Sequence, residues 1–261
     1  MKEKMFQAEK IARDFAEHEQ NEKNYNTSKV FDIIATNYLK EKHQPSLVLD
    51  LFAGAHPDRY HDLFKTLIKT SSKMHWVDNS PIMLKLAKEY LQNCKDGREK
   101  TITFIESDYL EYLKSCQDNS IDLVLIKYSL DYIKNFKEFF QIIYKKMKKN
   151  AIIISHITVT SNILKSHSTN AKYFFKGKPI PEGKEIILKD KDKFSIKFFK
   201  ESGNPNSELI EGTETTKYFF SKETILTEAK SQGFKTFLGD WKNFEKENNF
   251  DFNLNILVLQ K

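Results

Sequence analysis

Five short apolar runs recur along the first 158 residues: "SLVLDLF" (46–52), "SKMHWVD" (72–78), "TITFIES" (101–107), "IDLVLIKYS" (121–129) and "AIIISHIT" (151–158). Between them stand stretches with helical periodicity, Asp58–Lys69, Pro81–Asn93, Asp108–Lys114 and Lys134–Lys149. This alternation constrains the chain more than any other feature. A strand followed by a helix returns to the sheet as a parallel strand, and the helices then cover both faces. Strand centres such as "LVLI" and "IIIS" are apolar on both sides, as burial on both faces requires. The second helix has a local start signal, Ser80 as N-cap and Pro81 at the first helical position.

After residue 158 the rhythm changes. "STNAKYFFKGKPIPEGKE" carries Gly177, Pro179, Pro181 and Gly183 and reads as a turn-rich connection. "EIILKDKDKFSIKFFKES" and "ELIEGTETTKYFFS" alternate in polarity and read as antiparallel strands. A helix comes next, "SKETILTEAKSQGF", capped by Ser221 and stopped at Gly233, and the strands "FKTFLGD" and "FNLNILVLQ" end the chain. The expected organisation is a helical N-terminal segment, 1–45, acting as a lid with Tyr25 and Phe31 over the site. The core comprises 46–158 and 221–261, and 159–220 form a β-rich insertion.

Composition narrows the partners. The 261 residues include 42 basic and 36 acidic side chains, a net charge of +6, and the lysines in "KKMKKN", "KDKDKF" and "KNFEKEN" are spread along the chain and usually lie next to acids. That pattern is a solvated face, so nucleic acid is not the expected partner. Two cysteines, Cys94 and Cys116, make neither a disulfide framework nor a four-ligand zinc site, and no metal is expected. The N-terminus "MKEKMFQAEKIARDF" lacks the apolar core of a signal peptide. No run approaches the roughly 20 apolar residues of a bilayer span. A cytoplasmic protein without membrane contact is expected.

The chemistry concentrates at strand ends. The first strand leads into Asp50 and Gly54, the second into Asp78, the third into Asp108. In open parallel sheets ligands bind beyond these ends, where a glycine admits a close backbone approach and a helix start offers free N–H groups. A carboxylate after the second strand suits the two hydroxyls of a ribose. Each acid alone has a structural reading as a cap or turn residue, but three at successive strand ends have no common structural need. "GAHPDR" is not Gly-x-Gly-x-x-Gly, which disfavours a nicotinamide enzyme.

The series "VLDLFAGAH", "MHWVDNSPIMLKLAKEYL", "ITFIESDYLEYL", "IDLVLIKYSLDYI" and "AIIISHIT" resembles the successive motifs of the Rossmann-like, class I S-adenosylmethionine-dependent methyltransferases. The resemblance covers about 25–158 and extends to the closing helix and strands. It implies a mostly parallel seven-stranded sheet with helices on both faces, plus the antiparallel insertion after the fifth strand. It implies S-adenosyl-L-methionine as cofactor and S-adenosyl-L-homocysteine as product. Cofactor contacts carried over by the motifs are Asp50, Phe52, Ala53, Gly54 and His56 on the first loop, and Asp78, Asn79 and Ser80 after the second strand. Asp108 and Tyr109 would frame the adenine, and Lys127 and Tyr128 would close the site below the sulfonium. Phe52 and His56 occupy positions where the family usually has glycine, and a side chain at His56 is expected to narrow the space around the methionine portion.

The loop after the fourth strand bears on the acceptor. "IKYSLDYIKN" has neither the Asn/Asp-Pro-Pro-Tyr/Phe loop of amino-methylating nucleic-acid enzymes nor the Pro-Cys of cytosine-C5 enzymes. It is similar to small-molecule methyltransferases, and the insertion looks like their substrate cover. Transfer to N or O of a small molecule by a monomer or homodimer is expected. Two alternatives stay open: the same fold acting on RNA or protein, or a non-catalytic cofactor-binding relative. His156 is the candidate base, titrating near the ordinary 6.5. Tyr128 and Asp131 are candidate catalytic orienters, and Tyr25, Tyr132 and Tyr218 candidate substrate contacts.

Overall fold

The computed structural model describes residues 9–21, 25–42, 45–94, 97–157, 162–168, 171–201, 203–237 and 256–261. Two helices, α1 (Glu9–Asn21) and α2 (Tyr25–Lys40), precede β1 (Leu47–Leu51). Then α3 (His61–Lys69), β2 (Lys73–Asp78), α4 (Pro81–Gln92), β3 (Ile102–Glu106), α5 (Tyr109–Ser115), β4 (Ile121–Ile126), α6 (Phe136–Lys146) and β5 (Met147–His156) alternate. The late part holds β6 (Ile163–Leu164), β7 (Ala171–Phe175), β8 (Lys178–Pro179), β9 (Ile186–Ile187), β10 (Lys193–Phe198) and β11 (Thr215–Tyr218). The chain closes with α7 (Lys222–Ser231), β12 (Lys235–Phe237) and β13 (Ile256–Gln260).

Seven strands form one sheet in the order β12-β13-β5-β4-β1-β2-β3. β1 to β5 pair in parallel, as the sequence pattern predicts, and β13 runs antiparallel to β5 in the mostly parallel seven-stranded sheet. Alternate strand residues feed two cores. Val48, Met74, Trp76, Leu123, Leu125 and Ile154 face α2, α3 and α4. Leu49, Leu51, Val77, Val124, Ile126 and Ile153 face α5, α6 and α7. Ser80 and Ser221 cap α4 and α7 as expected, accepting from Met83 N at 3.3 Å and Thr224 N at 3.2 Å.

Three readings are corrected. The helix expected to reach Lys149 stops at Lys146, and Met147 turns directly into β5. The β4–β5 pairing shifts register there, and Lys148 reaches back to Asp122 Oδ2 at 2.9 Å. The stretch read as a turn-rich connection contains the β7–β8 hairpin. Its two turn residues, Lys176 (φ +50°) and Gly177 (φ +74°), both adopt the left-handed backbone that matches strand twist. A lysine in place of the usual asparagine conceals that turn in the sequence. The third correction concerns Phe31, expected in a lid: it is wholly buried in the core against β1 and β2. Its neighbour Asp32 accepts from Asp62 N (3.0 Å) and Leu63 N (2.7 Å), holding the start of α3.

The insertion builds its own small core from Leu164, Ala171, Ile180, Leu188, Phe194, Ile196 and Phe219. Its four-stranded sheet runs β11-β10-β7-β8. The α1 helix ties it to the main body. Phe15 packs on Phe198 of β10 at 4.8 Å between ring centroids, while Arg13 and Glu9 pair with Glu89 and Lys85 of α4.

Candidate active site

The sheet changes direction between β1 and β4, since β2 and β3 lie on one side and β5 on the other. The carboxyl ends of these strands meet at that switch point, the crevice where open parallel sheets hold ligands.

On the β1–β2 side the turn is fixed by main-chain hydrogen bonds. Ala53 N donates to Val77 O at 3.0 Å, Gly54 N to Asp78 Oδ2 at 2.9 Å and Ser80 N to Asp78 Oδ1 at 2.8 Å. Trp76 Nε1 donates to Gly54 O at 2.8 Å. Asp78 therefore clamps the loop after β1 to the start of α4. A carboxylate oxygen accepts more than one hydrogen bond, so a carboxylate held in this way can still receive a hydroxyl donor.

Phe52 and Gly54 take left-handed backbone, φ +59° and +68°. This explains why the position of Phe52 is usually glycine in the resembled family: the turn demands a conformation that costs a side-chain-bearing residue about 1–2 kcal/mol. The Phe52 ring is held between Tyr109 (4.7 Å) and Tyr132 (6.0 Å). The other departure, His56, turns away. Its Nε2 bonds Ala16 O of α1 at 2.9 Å, Nδ1 lies 3.4 Å from Asp58, and the ring packs on Tyr90 of α4. It braces the loop against the N-terminal helix, contrary to the expected narrowing around the methionine portion.

Asp50 lies beneath this loop, 1% exposed, and its Oδ2 has no hydrogen-bond partner among the described residues. Burial pushes its pKa up to about 7, against the pull of the Lys127 ammonium and the Tyr60 hydroxyl, with the Asp78 charge adding to the rise. Ala53 is buried and Asn79 exposed. Asp108 caps α5, accepting from Leu110 N at 2.9 Å, and Tyr109 is the first residue of that helix. The structure thus brings Asp50, Phe52, Gly54, Asp78 and Tyr109 to one edge. Two neighbouring carboxylates beside a glycine turn fit a cationic nucleoside cofactor.

On the β4–β5 side, Tyr128 (φ +55°) is a second aromatic residue in left-handed backbone, one strand over from Phe52. Its ring meets His156 edge-on at 4.6 Å. Residues held in such conformations gather where surrounding structure imposes them, often at functional sites. Burial, reinforced by the Lys217 charge, pushes the His156 pKa down to about 4. His156 is therefore neutral throughout the range in which the sequence places its titration.

Lys217 escapes a sequence reading. It comes from β11, 86 residues from Asp131, and donates to Asp131 Oδ2 at 2.8 Å, with exposures of 6% and 7%. Its ammonium also lies 4.8 Å from the Tyr132 ring centroid. The available signal was a lysine on the inward face of a strand, in phase with Thr215 and Phe219. Tyr218 and Asp131 line a small recess with Leu130, Phe136 and Phe220. Tyr25 begins α2, and its side chain lies outside the described residues.

No described helix is long and apolar enough to cross a membrane. Residues 42–193 match the family model described as a methyltransferase domain. No curated protein matches the chain. Among solved structures, an S-adenosylmethionine-dependent methyltransferase from Clostridium acetobutylicum ATCC 824 is 15% identical, with 92% of this chain and 91% of that one covered at a TM-score of 0.50. One from Mesorhizobium loti is 12% identical (87% and 96% covered, TM-score 0.49), and one from Archaeoglobus fulgidus 15% (90% and 94%, TM-score 0.45). The matched domain spans more than half the chain and includes β1 to β5 with all three strand-end acids. The chain belongs to the methyltransferase-domain family, built on a Rossmann-like fold.

Proposed function

We propose that this enzyme methylates N or O of a small-molecule acceptor held between the ends of β4 and β5 and the insertion. The observation that carries this reading is the Asp131–Lys217 contact, by which the insertion closes on the end of β4 with both partners buried. An enclosed, polar-lined acceptor side suits a small molecule better than a polymer, which needs an open groove.

Asp78 would hold the ribose, Tyr109 and Asp108 the adenine side, and the Phe52–Gly54 turn with Asp50 below it the methionine end. Ser80, Asn79, Ala53 and Lys127 complete that wall, and His56 supports it from behind. When bound, S-adenosyl-L-methionine supplies a sulfonium methyl: the C–S bond breaks with its electron pair left on sulfur, and the acceptor lone pair makes the new bond. Tyr128 and Asp131 orient the acceptor, with Tyr132 and Tyr218 as its apolar walls. Neutral His156 accepts the acceptor's hydrogen bond and takes the released proton. An oxygen that has just been alkylated is an oxonium, acidic enough to protonate even a weak base, whereas an alkylated amine is a weak acid and leaves the site as its ammonium. Much of the rate then comes from alignment and exclusion of water.

The test is to incubate the enzyme with S-adenosyl-[methyl-³H]methionine and separated small-molecule, RNA and protein fractions of a cell extract. Label is expected in the small-molecule fraction. Label confined to RNA or protein would reassign the acceptor.

A further inference from the structure

We infer that Lys217 is the positioning residue of the acceptor site: from the insertion, its ammonium holds one oxygen of Asp131 and fixes that carboxylate at the end of β4. The other Asp131 oxygen is thereby left as an acceptor for a neutral amine or hydroxyl, and His156 Nδ1 is a second buried polar atom with no partner among the described residues. This deepens the proposed acceptor reading and rests on it.

The geometry carries the inference. Asp131 Oδ2 is engaged by Lys217 Nζ, whereas Asp131 Oδ1 and His156 Nδ1 are both buried with no hydrogen-bond partner among the described residues. Unpaired buried polar atoms are costly unless a partner visits them. A buried ion pair is also weak evidence of stabilisation, since packed apolar residues of similar volume generally do as well or better. A pair drawn from elements 86 residues apart, with the second carboxylate oxygen left unpaired, calls for a reason other than stability. With Lys217 cancelling the Asp131 charge, the site has no net charge of its own to attract a carboxylate, a phosphate or an ammonium. The charged and titratable groups around His156 and the pair are Lys217 on β11, Asp131, Tyr132 and Tyr128 after β4, and Tyr173 on β7. The Lys217 charge opposes protonation of His156.

The experiment follows the His156 side chain by NMR through a pH titration of the full chain labelled at histidine Cε1, without any ligand. In Lys217→Met the opposing charge is gone and Asp131 is left without its partner, so the His156 midpoint is expected to rise by at least one pH unit. Lys217→Arg should return it to within about 0.3 unit of wild type, an effect that side-chain volume alone does not predict. If Lys217→Met does not fold, the double variant Lys217→Met/Asp131→Asn, which strands no charge, should still show a higher midpoint than wild type. A folded variant lacking the Lys217 charge with an unmoved midpoint overturns the inference. S-adenosyl-L-homocysteine binding by calorimetry, run in parallel, should stay within threefold in Lys217→Met. Failure of the wild-type chain to bind it would defeat the methyltransferase reading, while the His156 titration would still decide the role of Lys217 independently. A selective loss of binding in Lys217→Met would place Lys217 on the cofactor side and overturn its role here.

Discussion

The two halves of the proposed site are built in opposite ways. The cofactor half consists of three short segments, 50–56, 78–80 and 108–109, held mainly by main-chain N–H groups donating to nearby carboxylates. The acceptor half gathers Tyr128, Asp131, His156 and Lys217 from three distant elements around one buried ion pair. In the first, much of the polar work is done by caps and turns whose groups lie a few residues apart. In the second, each charge is tolerable only because another element supplies its counterpart. The cofactor half should therefore yield in graded steps to mutation, and the acceptor half abruptly.

The largest expected effect tests that abruptness. Asp131→Ala leaves Lys217 buried and unpaired and should cost about 3–5 kcal/mol of stability, with most of it recovered in Asp131→Ala/Lys217→Met. Urea unfolding of the three proteins checks this. A loss below about 1 kcal/mol would show the pair to be solvated and the contrast between halves to be false.

On the cofactor side, Asp78→Ala removes charge-assisted hydrogen bonds and should weaken S-adenosyl-L-homocysteine binding by about 1.5 kcal/mol or more, with the fold retained. Calorimetry of the variant reads this directly, and unchanged affinity would remove Asp78 from the ribose. His56→Ala breaks the bond to Ala16 O and should cost about 1 kcal/mol. The loss should appear as faster hydrogen exchange in Glu9–Asn21 with no change in the acceptor half. Equal exchange in both proteins would mean that α1 is held by its packing and ion pairs alone.

The smallest effect separates the halves by pH. Asp50, with its pKa at about 7, is mostly protonated at pH 6 and mostly ionised at 8. A cationic cofactor favours the ionised form, so its affinity should rise about threefold across that range, and Asp50→Asn should abolish the rise. The rate at saturating cofactor should be flat between pH 6 and 7.5, because His156, at about 4, is already neutral. His156 also links to stability. Its folded pKa lies below the ordinary 6.5, so the unfolded state binds more protons and stability should fall as pH drops from about 6.5 to 4. An inflection in the saturated rate near 6.5 would restore an ordinary histidine at this position.

The sequence by itself determined the strand–helix rhythm, the caps at Ser80 and Ser221, and the acids at the ends of β1, β2 and β3. These rest on periodicity and on contacts within a few residues, so local patterning is enough to reveal them. Even the departure at Phe52 was legible as a residue standing where glycine is usual, although the left-handed φ that makes the position special had to be seen. The direction of His56, the burial of Phe31, the Lys176–Gly177 hairpin and the Asp131–Lys217 pair were decided only in three dimensions. His56 meets Ala16 across 40 residues and Lys217 meets Asp131 across 86. A lysine in a strand reads as solvent-facing until the fold supplies a buried carboxylate. A histidine likewise titrates as in water until the fold removes the water and places a cation beside it.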